Sequence, residues 1–177
     1  MKILAVSLLS LPFLSACVAS QGSVAPTDPK AATQAFETLQ SFAGKWHGTA
    51  TIGTLQTPVD LSYEIVSAGS TVMERLFIGT PHEMVTMYHR DGDRLVLTHY
   101  CAAGNQPRME LVSWSPAPEP TLTFELTDAT NWPDEKQVIM HDARITKISP
   151  DHIAASWTAW SSGKPDHAAN FDFTRVH

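Results

Sequence analysis

The 177-residue sequence is short of cysteine, of positive charge and of long apolar runs, and each shortage removes a class of protein. Two cysteines allow at most one intramolecular disulfide and cannot supply a four-thiolate zinc centre. Lys and Arg number 12 against 18 Asp and Glu, a formal net charge of −6, which argues against a nucleic-acid surface that must neutralise phosphates. The longest apolar stretch, Ile3 to Leu14, falls well short of the roughly 20 residues a membrane-spanning helix needs. Motifs of the forms C-x-x-C, H-E-x-x-H and G-x-S-x-G are missing, as are a phosphate-cradling glycine loop, an internal repeat and a run of like charge. What is present is a 43% apolar content, too high for a wholly disordered chain and enough for one sizeable core.

Lys2 followed by the short apolar run reads as an export signal. It ends in Leu14-Ser15-Ala16-Cys17, which resembles the lipobox of bacterial lipoproteins. The resemblance implies cleavage before Cys17, with acyl chains such as palmitate on the new N-terminus. At ~0.8 kcal/mol per buried CH₂, several chains hold a protein durably where one does not. It also implies an address: Val18 stands where an aspartate commonly signals inner-membrane retention, so the expected site is the outer membrane, facing the periplasm. With the Cys17 sulfur committed to lipid, Cys101 is expected to be unpaired.

Residues 18–28 are small and polar and read as a tether, which with Cys17 makes residues 17–28 a lipidated linker. Asp28-Pro29 then offers an N-cap and a first-turn proline, and Ala32, Ala35, Phe36, Leu39 and Phe42 recur at helical spacing, predicting a short helix that ends near Gly44. From Lys45 the period changes to two. Ten strands are predicted, at 45–54, 58–67, 70–78, 83–90, 93–101, 107–115, 120–127, 136–147, 152–161 and 167–176. Connections this short make hairpins, not parallel crossovers. The expected fold is all-β, an antiparallel up-and-down barrel over residues 29–177 in which closure removes exposed edges, with a Greek-key sandwich as the alternative.

Gly44-Lys45-Trp46-His47-Gly48, at the junction of helix and first strand, resembles the Gly-x-Trp signature of the calycin barrels: lipocalins, fatty-acid-binding proteins and nitrobindin-like proteins. The resemblance implies that Trp46 closes one end of a barrel around a small-molecule site. A helix followed by ten strands is nearer the fatty-acid-binding and nitrobindin layout. Nitrobindin-like barrels hold haem through a histidine near the C-terminus, which directs attention to His152, His167 and His177. The stretch from Gly79-Thr80-Pro81-His82-Glu83-Met84 through Thr98-His99-Tyr100-Cys101 to Gln106-Pro107-Arg108-Met109 is similar to a family of uncharacterised bacterial exported proteins. That likeness implies no particular activity.

A turn at Asp91-Gly92 would place His82, Met84, Leu95, Leu97, His99 and Cys101 on one sheet face, expected to point inward. Two imidazoles and a thiol suit zinc, copper or haem iron, and a histidine beside Cys101 could activate it as a nucleophile. Equally, Cys101 is a small buried hydrophobe and the histidines are hydrogen-bonded structural groups. Glu74 and Arg75 lie on opposite faces, so one of them should enter the barrel, where an arginine could fork onto a ligand carboxylate. Trp157 and Trp160 must likewise face opposite ways.

The combined expectation is an envelope lipoprotein that binds a small hydrophobic or amphipathic molecule in its barrel, through Trp46, His82, His99, Tyr100, Cys101 and Arg108, with no cofactor required and binding favoured over catalysis. A metal- or haem-binding protein centred on His82, His99 and Cys101, possible enzyme chemistry included, is the second expectation. A filled barrel that serves a structural or partner-binding role is the third. The lipid anchor is open to direct test: mass spectrometry of the mature protein should find acylated Cys17 as its first residue, and an unmodified Cys17 or cleavage elsewhere would contradict it.

Overall fold

The structure, a computed structural model, describes residues 28–177; the leader, Cys17 and nearly all of the tether lie outside them. Helix α1 spans Pro29–Gln40. Asp28 caps it by accepting the Lys30 N–H at 2.9 Å, and Pro29 occupies the first turn, where a missing N–H costs nothing. Ala31, Ala32, Ala35, Phe36 and Leu39 form its buried stripe. The helix stops at Gln40, short of the expected Gly44, because Phe42 serves the barrel instead: its carbonyl accepts the Trp46 indole N–H at 2.9 Å and its ring packs on Tyr63.

Ten strands follow: β1 (Gly44–Ile52), β2 (Leu55–Val66), β3 (Thr71–Leu76), β4 (Met84–Asp91), β5 (Arg94–Tyr100), β6 (Gln106–Ser115), β7 (Thr121–Thr130), β8 (Ile139–Ser149), β9 (His152–Ser161) and β10 (Lys164–Val176). Each pairs antiparallel with its sequence neighbours, and β1 pairs with β10 to close the barrel. Alternation then sorts the side chains. Trp157 is buried inside, whereas Trp160 lies outside, stacked on His141 and donating its indole N–H to Asp142 at 2.9 Å. Glu74 points in; Arg75 points out and pairs with Glu83.

The β4–β5 hairpin corrects the expected register. Asp91 pairs with Arg94 around Gly92-Asp93, so Thr86, not Met84, stands opposite His99. Gly92, at φ +60°, takes the first central position of the turn, as in a type II′ turn, and the ion pair of Arg94 with Asp91 closes the loop. The displacement is by two residues, so the inward face is preserved.

The two barrel ends differ. Helix α1 covers the end where β1 begins and β10 finishes. Arg175 ties it there, donating to the carbonyls of Ala43 and Ser41 and lying 4.1 Å above the Trp46 ring, while Gln40 donates to Gly69 in the β2–β3 turn. The opposite end, the mouth, is framed by the β1–β2, β3–β4, β5–β6, β7–β8 and β9–β10 connections.

Closure demands a close approach at Gly48. A Cβ there would sit 1.9 Å from the Asp172 carbonyl oxygen of β10. Gly48→Ala is therefore expected to cost about 1–3 kcal/mol as the strands are forced apart, read as a lower urea midpoint. An unchanged midpoint would show that the closure can relax around a methyl group.

Candidate functional site at the barrel mouth

An oblique row of directly opposed residues crosses the first five strands: Gly44, exposed at the barrel end, then Tyr63, Glu74, Thr86 and His99, all buried inside. Because barrel strands tilt, such a row climbs from one end to the other. Here it starts at the helix plug and finishes at the mouth. Its centre is the Glu74 carboxyl group, 3% exposed. Burial raises the Glu74 pKa, opposed by the hydroxyls of Tyr88, Tyr63 and Thr86 that donate to it. Tyr88 donates to Oε2 at 2.7 Å, and Thr86 lies 3.4 Å from Oε1. Both tyrosines are pushed well above their ordinary pKa, first by burial and then by Glu74, so they remain neutral donors.

Thr86 passes this arrangement on to His99, whose Nδ1 is 2.9 Å from the threonine hydroxyl. A hydroxyl has one proton. When Thr86 gives it to Glu74, His99 Nδ1–H donates to Thr86 and Nε2 is left with a bare lone pair. His99 is 2% exposed, its ring lies 4.8 Å from that of Trp157, and Nε2 has no hydrogen-bond partner. Desolvation lowers its pKa from 6.5 to about 4, so the imidazole is neutral at pH 7.

His99 lines a cavity of about 60 Å³ at the mouth, walled by Met84, Met140, Trp157, Phe171 and His167 among others. Phe77 helps to cover it from the β3–β4 loop, in a left-handed conformation at φ +57° and with its ring edge-on to Phe171. Beneath, between Glu74, Trp157, Phe171 and Phe173, only about 10 Å³ of space remains. The interior is filled, and the space that remains inside the barrel lies at the mouth.

Of the expected site residues, His99 alone is both inside the barrel and on this cavity. Trp46 is buried at the helix end. His82 is exposed in the β3–β4 loop, where its N–H donates to Thr80 at 3.1 Å. Tyr100 faces outward and is 49% exposed, and Arg108 is exposed on the outer face opposite Thr98. Cys101 follows the end of β5 as a half-buried free thiol, with its N–H on the Asn105 carbonyl. The expected grouping of His82, His99 and Cys101 is thus not assembled around the mouth cavity: His82 lies on the loop before β4 begins and Cys101 lies beyond β5, so neither is carried to it by the sheet. Among the described residues no three His, Cys, Asp or Glu side chains form a set able to hold a metal ion. His167 reaches the mouth cavity, while His152 and His177 pair with Asp172 and Asp151 elsewhere.

The interior hydroxyls were the part that sequence reasoning missed. Glu74, Thr86 and Tyr88 all occupy inward positions of a period-two pattern, and a carboxylate at such a position requires donors from adjacent strands. That requirement was the available signal.

Comparison with known proteins adds the fold. No family model matches the sequence, and no curated protein matches it. The barrel is similar to the crystal structure of Rv2717c from M. tuberculosis, with 16% identity and a TM-score of 0.54 over 81% of this chain and 98% of that one. It is also similar to a DUF3598-family protein of unknown function from Nostoc punctiforme, with 12% identity and a TM-score of 0.52. That match covers 78% of this chain and 49% of the Nostoc chain, so this chain spans about half of that relative's length. These likenesses bear on the fold alone, which in this chain is a closed antiparallel barrel plugged by a helix, and carry no activity.

The buried histidine makes stability depend on pH. Since its folded pKa lies below the unfolded value, His99 contributes its full stability above about pH 6.5 and loses it as pH falls toward 4, by up to about 3 kcal/mol. Denaturation of the wild type and His99→Gln at pH 7 and pH 4 should show the difference between them shifting by that order. A constant difference would contradict the desolvated imidazole.

Proposed function

We propose that the protein is an envelope lipoprotein that binds a small hydrophobic or amphipathic ligand at the mouth of its barrel, with one polar atom of the ligand on His99 Nε2. The observation that carries this reading is the buried, partnerless Nε2 of His99, a residue that lines a largely apolar cavity. Leaving a buried polar atom unmade costs about 1–3 kcal/mol, which a ligand's hydrogen bond would recover. The volume narrows the ligand: about 60 Å³ is the space of roughly two waters, far below the roughly 300 Å³ at which whole drug-sized ligands are enclosed. Only one end of a molecule enters, and the remainder lies along the rim. The calycin resemblance and the lipobox support the setting.

A second reading, a metal centre, draws on the same nitrogen. A neutral imidazole with a free lone pair is a competent ligand, and the Met84 and Met140 thioethers and His167 share its cavity, a donor set for a soft ion. This set replaces His82 and Cys101. Haem does not fit, because a porphyrin has no room in about 60 Å³, and no step is assigned to it.

Native mass spectrometry of the full chain isolated from its host, with elemental analysis of the same sample, separates these readings. A bound organic molecule that is lost in His99→Ala supports the first, and stoichiometric metal lost in that variant supports the second. Neither species, in protein that remains folded, would leave the filled structural barrel and overturn both.

A further inference from the structure

The outer surface carries a second constellation, separated from the interior polar row by the barrel wall. One position along each strand from the interior polar row, Val176, Lys45, Ser62 and Arg75 stand opposite one another across β10, β1, β2 and β3, facing outward. Ser62 is only 6% exposed despite its outward position, and its hydroxyl has no partner. The β3–β4 loop leans over this face. Ile78 N–H reaches the Asp60 carbonyl at 3.4 Å, and Arg75 donates twice to Glu83, whose second oxygen accepts the Gly79 N–H at 2.9 Å. The result is an open groove of about 610 Å³ lined by Lys45, Ser62, Glu64, Arg75, Ile78 and Val176 among others, ten times the mouth cavity and of ligand size.

Its charges are unevenly used. Arg75 is taken by Glu83, while Asp60, at the groove's other end, is hydrogen-bonded to His47 Nδ1 at 2.7 Å. The Lys45 ammonium and the Glu64 carboxylate, by contrast, belong to no ion pair among the described residues. Lys45 faces Ser62, and Glu64 lies two residues further along β2 on the same face, a diagonal of about 7–8 Å between backbones. Opposite charges carried on backbones at that spacing, a buried hydroxyl without a partner on the same face, and apolar walls at Ile78 and Val176 together describe one complement.

We propose that this groove binds a zwitterionic peptide of about two apolar residues with free termini. The peptide carboxylate sits between the Lys45 ammonium and the Ser62 hydroxyl, the terminal ammonium meets Glu64, and the side chains lie on Ile78 and Val176. Two extended residues span about 7 Å, of the same order as the backbone diagonal from which the flexible Lys45 and Glu64 side chains reach toward the two termini. A longer chain would have to carry one terminal charge out of the groove.

Calorimetric titration of the full chain with dileucine tests the assignment, with amide chemical shifts to locate binding. Saturable binding is expected, with shifts at Lys45, Ser62 and Glu64 and none at His99. N-acetyl-dileucine and dileucine amide should each bind at least tenfold more weakly. Glu64→Gln should abolish the distinction between dileucine and its acetylated form, Lys45→Gln that between acid and amide. Ser62→Ala should weaken binding several-fold while leaving the melting temperature equal or higher, since it removes an unsatisfied buried group. No saturation, shifts confined to the mouth, or octanoate binding as tightly as dileucine with Glu64→Gln silent would each overturn the proposal.

Discussion

A carboxyl group sealed inside a barrel must be given hydrogen-bond donors by the strands around it, and this requirement at Glu74 organises half of the molecule. Its donors come from β2 and β4, and Thr86 extends the arrangement to His99 on β5. Tyr63, Glu74, Thr86 and His99 are direct cross-strand neighbours, so a one-residue slip of any of these strands would turn its member outward and strand a buried polar group. A slip of two residues would keep the apolar face inward, whereas this polar row loses its partners at any slip. Polar satisfaction here specifies the pairing as well as stabilising it.

The row also explains why the mouth is chemically distinct from the rest of the interior. Trp157, Phe171, Phe173 and Tyr88 fill the barrel to the depth at which His99 begins, and the imidazole is the last member of the polar chain. One of its nitrogens is committed to Thr86 and the other has nothing to bind. Burial holds the ring neutral, so it meets a ligand as a hydrogen-bonding group or a lone-pair donor and not as a charge. The outer groove works by the opposite means, with unneutralised charges at the surface and a hydroxyl hidden between them. A barrel with a filled interior can still offer binding surface at its rim and on its outer wall.

Much of the architecture was readable in the sequence, because period-two alternation and turn residues are local. Asp28-Pro29 marked the helix start, the ten strands fell close to their predicted spans, and the opposed pairs Glu74/Arg75 and Trp157/Trp160 followed from alternation alone. Two features were not readable. The hairpin at Asp91-Gly92-Asp93 admits two turn geometries that differ by a two-residue displacement, and only the packed barrel chooses between them. The site depended on which polar residues meet across strands. The grouping of His82 and Cys101 with His99 followed from a hairpin register displaced by two residues, and both lie beyond the paired strand ends, whereas Glu74 joins His99 through Thr86.

The pairing of β1 with β10 joins the first strand of the barrel to the last, across nearly its whole length of chain. Every other strand can find a partner as soon as the next hairpin is made, but β1 has one bare edge until the final residues emerge. A chain that stops before β10 would expose the unpaired edge of β1 and that of its own last strand, each a template for another copy. Chain completion and protection from self-association are therefore one event, and premature truncation near the C-terminus should be more hazardous to this protein than loss of the helix.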